Sequence, residues 1–148
     1  MQRHGWTLLF HDHFIGQLLK LRAAVLRAQE GDPEGFNVKF FRALLHLVQD
    51  VVPNDPARDE YRQGNTLGPA HRHWRRAKLG RRYRLFFRYD SKSKIIVYAW
   101  INDAQTLRSA GDKSDPYAVF QKMLARGNPP EDWDNLVSAS RQDWDTQP

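Results

Sequence analysis

Apolar and polar positions change period several times along the 148 residues. From Asp12, a helix-capping type, Phe14, Leu18, Leu21, Val25 and Ala28 recur at spacings of four and three. That is one face of an amphipathic helix, which Ile15, Leu19 and Leu26 widen. Gly31 is its expected end, and Asp32-Pro33 offers a cap and a first-turn proline for the next helix. Val38, Phe41, Leu44, Leu45, Val48 and Val52 form the second stripe, and Pro53 and Pro56 stop it. Two such helices make a hairpin whose stripes need a sheet to cover. Ahead of them, Trp6 to Phe10 reads as a short edge or inserted strand.

The period then changes from helical to alternating. Trp74 to Asn102 holds three runs dense in Tyr, Phe, Val and Ile, broken at Gly80 and at Asp90 to Ser93. This predicts a three-strand antiparallel meander with side chains alternating between two faces. Tyr83, Leu85, Phe87 and Tyr89 share one face, and Arg82, Arg84, Phe86 and Arg88 the other. In the last run Ile95, Val97, Ala99 and Ile101 lie opposite Ile96, Tyr98, Trp100 and Asn102. In the first, Trp74, Arg76 and Lys78 lie opposite Arg75, Ala77 and Leu79. One sheet face is thus expected on a core, and the other, mixing Arg, Lys, Tyr and Trp, against RNA, with cations for phosphates and rings for bases.

The remaining segments are shorter. Pro53 to Arg72 is a long polar connection carrying Arg58, Arg62, His71 and Arg72, and is expected as a loop. Asp115-Pro116 opens a third helix with Tyr117, Phe120 and Leu124 on one face, stopped by Gly127 and Pro129-Pro130. Glu131 to Ser140 is a short last helix with Trp133, Leu136 and Val137, and residues from Arg141 on are expected to fray. The acidic residues Glu131, Asp132, Asp134, Asp143 and Asp145 can fold back on the basic face or serve solubility.

Composition narrows the class. The length suits one α+β domain over residues 1–148, and 41% hydrophobic residues are enough for a core. A formal charge of +6 favours a polyanionic partner, nucleic acid or an acidic protein. With no cysteine, disulfides and thiolate metal sites are excluded. No signal peptide is evident, and no run approaches the roughly 18 apolar residues of a membrane span, so the cytoplasm is the expected setting.

Trp74-Arg75-Arg76-Ala77-Lys78-Leu79-Gly80 followed by Arg82-Tyr83-Arg84-Leu85-Phe86-Phe87-Arg88-Tyr89 resembles the signature of the YhaV family of toxins. Trp100-Ile101-Asn102-Asp103, Thr106-Leu107-Arg108, Tyr117-Ala118-Val119-Phe120, Lys122-Met123-Leu124, Gly127-Asn128-Pro129-Pro130 with Trp133, and Gly5-Trp6 extend the resemblance from about Gly5 to Leu136. It implies the toxin half of a type II toxin–antitoxin pair with a RelE-like fold: a strand, two helices, a curved antiparallel meander, then further helices. It also implies an endoribonuclease acting on mRNA, at the ribosome, and needing no cofactor. The implied partner is a PrlF-type antitoxin, with operator DNA reached through it. Many RelE-like toxins place a Tyr or His near the chain end; neither occurs here after Tyr117, so that proton-transfer group is not carried over.

Metal-free RNA cleavage needs the 2′-hydroxyl oriented, charge on the phosphate stabilised and protons moved. Arg76 and Arg84, on adjacent strands and one face, are the leading phosphate ligands, since the guanidinium fork offers paired donors. Arg76 also stands at a position the resemblance marks as important. Lys78 adds charge or acts as a base, and Arg88 and Arg108 are secondary phosphate ligands. Tyr98 and Trp100 can stack bases or pack beneath the third helix. His71 and His73, just before the meander, are candidate general acids or bases. His11-Asp12-His13 and His71-Arg72-His73 are each H-x-H, a spacing that can share a metal; with no carboxylate partner fixed, no metal site is assigned. Two other classes stay open from the residues alone: a basic module that binds RNA or protein without chemistry, and a metal-dependent enzyme using the histidines.

Overall fold

The alternating runs pair with one another and, less locally, with the first strand. The computed structural model describes residues 1–29 and 35–145. Its elements are β1 (Gln2–Arg3), β2 (Trp6–His11), α1 (Asp12–Gln29), α2 (Phe36–His46), α3 (Val52–Asn54), β3 (Arg75–Leu79), β4 (Tyr83–Asp90), β5 (Ile95–Ile101), α4 (Pro116–Ala125), α5 (Trp133–Ser138) and β6 (Ser140–Arg141). A π-helical turn, Leu47–Val51, joins α2 to α3, so the second helix continues past Val52 as its stripe predicts. The expected Gly31 stop, the Asp32-Pro33 start and the side chain of Ala28 lie outside the described residues. Leu26, expected to widen the first stripe, is exposed.

The sheet runs β1-β2-β5-β4-β3, with β6 also on β2. The meander β3-β4-β5 is antiparallel as expected, but β2 pairs parallel with β5, so the sheet is mixed and β2 lies inside it. Gly80 (φ 65°) adopts at the β3–β4 turn the left-handed conformation that a side chain disfavours.

Both faces of this sheet are covered. Leu8, Phe10, Leu85, Phe87, Ile96, Tyr98 and Ile101 pack under α1 and α2 against Phe14, Leu18, Leu44 and Val48. Leu9, Trp74, Phe86, Val97, Ala99 and Trp100 pack under α4 and α5 against Tyr117, Phe120, Leu124 and Leu136. Strict alternation in β5 fails at one point. Phe86 pairs Trp100 while Phe87 pairs Tyr98, so Ala99 bulges. A bulge shifts all later side chains to the other face, which sends Ile101 to the α1 side and Trp100 to the α4 side.

Two further expectations change. The Pro53–Arg72 connection is not an open loop: it holds 3₁₀ turns at Asp59–Tyr61 and Pro69–His71 and buries Tyr61, Gln63 and Leu67. The Gln63 amide donates to the His71 carbonyl at 2.8 Å and accepts from Leu67 N at 3.1 Å, which staples the segment to the start of β3. The chain end does not fray at Arg141, because Ser140–Arg141 pairs with β2 and Trp144 is buried against Phe41.

Candidate active site

Antiparallel register places side chains from β3 and β4 in rungs on the α4 side. Arg76 pairs Phe86 and Lys78 pairs Arg84. Successive rungs are about 7 Å apart, close to one nucleotide step along a strand. β3 is the outermost strand of this side of the sheet, so the row lies at an edge.

Arg76 is half-buried and fixed at two points. Its Nε donates to the Tyr117 hydroxyl at 2.9 Å, and Nη1 donates to the Glu60 carbonyl. A guanidinium has five N–H donors, so donors remain for a ligand while the fork is held. Tyr117 is positioned by the α4 N-terminus, where the Asp115 carboxylate accepts from Tyr117 N at 3.1 Å. Arg108 lies over the Tyr117 ring at 4.7 Å and donates to Asp115 at 2.6 Å. Its charge is therefore largely met within the protein. Lys78 is exposed and makes no hydrogen bond or ion pair among the described residues.

Arg84 departs from expectation. It shares the face with Arg76 but is buried, with Nη1 donating to the carbonyls of Arg81 and Tyr83 at 3.0 and 2.9 Å. Its side chain is turned onto the β3–β4 turn rather than toward a phosphate. Arg88 is likewise occupied. It lies between the rings of Trp74 (5.5 Å) and Trp133 (5.3 Å) and donates to the Glu131 carbonyl at 2.7 Å. Burial pushes its pKa below the ordinary arginine value, against the pull of Glu131 and Asp132. Tyr98 and Trp100 do not present faces to solvent. Tyr98 is fully buried, with its hydroxyl on the Val48 carbonyl at 2.7 Å. Trp100 packs beside the stacked Phe86–Phe120 pair, 6.0 and 5.8 Å from the two rings, which are 4.4 Å from each other. Tyr98 is covered by α1 and α2, and Trp100, turned by the bulge, is covered by α4, so neither serves as a base-stacking platform.

The histidines before β3 gather on one carboxylate. Glu131 Oε1 lies 3.1 Å from His71 Nδ1 and 2.5 Å from His73 Nε2, while Oε2 accepts from Trp74 Nε1 at 3.3 Å. Burial alone would raise the Glu131 pKa. Hydrogen bonds from His71 and Trp74, together with the nearby imidazoles, outweigh it and hold the carboxyl below the usual glutamate range. Burial, then the Arg88 charge, push the His73 pKa below the ordinary imidazole value, against Glu131. His73 is therefore neutral at pH 7. Its Nε2 faces a carboxylate oxygen, which favours the proton there and leaves Nδ1 as an acceptor.

The other H-x-H pair sits elsewhere. His11 and His13 have ring centroids 5.2 Å apart near the β2–α1 junction, and His11 Nδ1 accepts from His13 N. No group of three or more His, Asp or Glu side chains able to hold a metal occurs among the described residues.

Sequence reasoning set Arg76 and Lys78 on one face of the first meander strand and His71 and His73 just before it; in the structure the first two share the α4 side and the histidines gather on Glu131. It missed Tyr117 as more than a core ring, because its hydroxyl bond spans 41 residues. It also missed Glu131 as the group joining the histidines. An acidic residue in a basic chain was the available signal.

Arg76 and Lys78 on one strand face, with two histidines on a carboxylate nearby, are residue types suited to a phosphodiester. The comparisons agree. A family model described as a toxin with endonuclease activity, of toxin-antitoxin system, matches residues 8–141. The chain is 40% identical over 145 residues to "Ribonuclease toxin YhaV" of Escherichia coli K12, covering 94% of each chain. The same identity and coverage hold for "Toxin YhaV" of Escherichia coli O6:H1 and of O157:H7. Among solved structures none matches the chain. The chain belongs to the YhaV toxin family and is an endonuclease toxin of a toxin–antitoxin system.

Proposed function

We propose that this toxin is a metal-independent endoribonuclease that cuts mRNA on the ribosome, with Arg76 as its phosphate ligand. The observation that carries the reading is the pinned fork of Arg76 on β3, held by Tyr117 and by Glu60 of the segment that bridges to β3 at Arg75. A relative of 40% identity named a ribonuclease toxin supports RNA as the substrate. The scissile phosphate lies on the free donors of Arg76, and Lys78 adds charge on the next rung. The 2′-hydroxyl proton passes to His73, the O2′–P bond forms and the P–O5′ bond breaks. The leaving O5′ departs on the exposed Lys78 side and takes its proton from water there. The products are a 2′,3′-cyclic phosphate and a 5′-hydroxyl. Glu131 orients His73, and His71 braces Glu131.

The wider assignments follow from the family. The fold is of the RelE-like type, supported by the order strand, two helices, meander, helices, and it forms one domain around a sheet covered on both faces. The inhibitor is a protein antitoxin of the PrlF type, through which the pair reaches operator DNA. The site of action is the cytoplasm, where mRNA is translated; no helix among the described residues is long and apolar enough to cross a membrane.

The test is inducible expression with transcriptome-wide 5′-end mapping, with and without a translation-initiation block. New 5′-hydroxyl ends should appear with the wild type, vanish with Arg76→Ala, and fall when translation is blocked. Ends that persist with Arg76→Ala would refute the site. Ends indifferent to the block would refute the ribosome.

A further inference from the structure

Away from the cationic edge, one surface is open and apolar. Phe36, at the start of α2, is 64% exposed. Its ring stacks on Phe40 at 5.5 Å, and Phe40 meets Tyr83 at 4.7 Å. These three rings wall two adjoining cavities. One, of about 300 Å³, runs past Leu21 of α1 to the end of β5. The other, of about 450 Å³, runs over Ala43 and Leu79 to the β3–β4 turn and Leu107. Together they make a continuous groove crossing from α1 to the hairpin. Contiguous apolar surface of this kind marks an interaction site more often than a solvated face.

Among the described residues the charge around the groove is mostly positive: Lys20 lines the first cavity and Lys39, Arg81 and Arg82 the second, with Asp103 the one acid among them. An apolar floor with a cationic rim fits an amphipathic segment with an apolar stripe and acidic flanks. A second copy of this chain fits poorly, since it would bring the same rim and a formal charge of +6 against like charge. RNA is the competing occupant, since rings beside a cationic rim also suit a single strand, and cleavage by the groove variants separates the two.

We propose that this groove is the seat of the antitoxin, which enters through an acidic amphipathic segment. The inference rests on the toxin–antitoxin reading of the chain and not on its cleavage chemistry. The groove lies on the α1–α2 face of the sheet, opposite Arg76 and Lys78: Leu79 on its floor neighbours Lys78 along β3 but packs with the α1–α2 core. The two meet only around the β3–β4 turn, where the Arg82 carbonyl accepts from Arg108 N at 3.0 Å. A segment seated in the groove reaches the cationic edge by continuing around that turn.

Phe36→Ser and the double variant Lys20→Glu with Lys39→Glu test this, because all three side chains are exposed and lie outside the cleavage machinery. The cognate antitoxin, cloned with the toxin and purified separately, is titrated against each toxin by calorimetry at 50 and 300 mM salt. RNA cleavage by each antitoxin-free toxin is measured in parallel. Both variants should bind at least tenfold more weakly, and the charge variant should lose most of the salt dependence. Cleavage by the free toxins should stay within twofold of wild type. Antitoxin affinity within twofold of wild type for both variants overturns the proposal. So does a Phe36→Ser variant that only shifts toxin self-association in sedimentation. A wild type that binds antitoxin through the groove yet cuts no RNA would fail the ribonuclease reading and leave this one standing.

Discussion

Tyr117→Phe removes one atom from the candidate site and leaves its packing. The ring keeps its edge contact with Phe86 at 5.5 Å and its place under Arg108 at 4.7 Å. What goes is the oxygen that accepts Arg76 Nε at 2.9 Å. A hydrogen bond to a charged group contributes about 1.5–3 kcal/mol when fully buried. Arg76 is half-exposed and keeps its bond to Glu60, so water replaces part of the loss and about 1 kcal/mol is expected. For 148 residues at about 2.1 cal/mol/K each, the unfolding entropy is roughly 0.3 kcal/mol/K, so Tm should fall by about 3 °C. The effect on rate should be larger in proportion. A guanidinium freed to rotate loses its alignment with the phosphate, and displacements near 1 Å cost about a hundredfold. Single-turnover cleavage of ribosome-bound mRNA should slow by about 10- to 100-fold, equal to about 1.4–2.7 kcal/mol, with mRNA affinity changed less than threefold. Cleavage within threefold of wild type would refute the claim that Tyr117 aims Arg76. A Tm loss above about 10 °C would instead mean that the hydroxyl holds the fold together.

Four other outcomes follow. Glu131→Gln should cost about 1–2 kcal/mol at pH 7, discounted for the partial exposure of Glu131. Because the folded-state pKa of Glu131 is lowered, its contribution is present above the unfolded value and lost as pH falls through the folded one. The stability gap to wild type, read by denaturant titration, should therefore close below about pH 4, and a gap independent of pH would contradict the His–Glu arrangement. His73, also lowered, should make the wild type less stable as pH drops below about 6.5, a slope that His73→Gln removes. Trp100→Ala should destabilise by about 3–5 kcal/mol through the cavity left beside the stacked Phe86 and Phe120 rings, with RNA affinity per folded molecule unchanged. Weaker RNA binding at full stability would restore Trp100 as a stacking platform. Toxin stripped with EDTA and then desalted should cleave at its original rate; loss of activity restored by Zn²⁺ would replace the proposed chemistry.

Local pattern carried the element order. The α1 and α2 stripes, the breaks at Gly80 and Asp90, and the Asp115-Pro116 helix start all arise within a few residues of chain, where spacing and capping chemistry act. The faces of β3 and β4 followed from alternation alone, and they set Arg76 and Lys78 on one side. What stayed hidden depends on partners distant in sequence. The bulge at Ala99 is a matter of register between β4 and β5, and alternation counted along β5 cannot reveal it. The parallel pairing of Thr7 with Ile95 joins strands nearly ninety residues apart. Arg84, Arg88 and Arg108 carry the same side chain as Arg76, yet each finds an internal partner in a carbonyl, a Trp pair or a carboxylate. Composition counts cations without saying which are already satisfied.

The account turns on Arg76 as a guanidinium that the fold anchors through Tyr117 and Glu60 and leaves partly exposed. The most direct measurement is the single-turnover rate on ribosome-programmed mRNA for wild type, Arg76→Lys and Arg76→Ala, with product ends identified. Wild type should yield 2′,3′-cyclic phosphate and 5′-hydroxyl ends. Arg76→Lys should slow cleavage by about tenfold or more, since a point charge lacks the fork, and Arg76→Ala by over about a hundredfold, with mRNA still bound. Cleavage by Arg76→Ala at the wild-type rate would contradict the account.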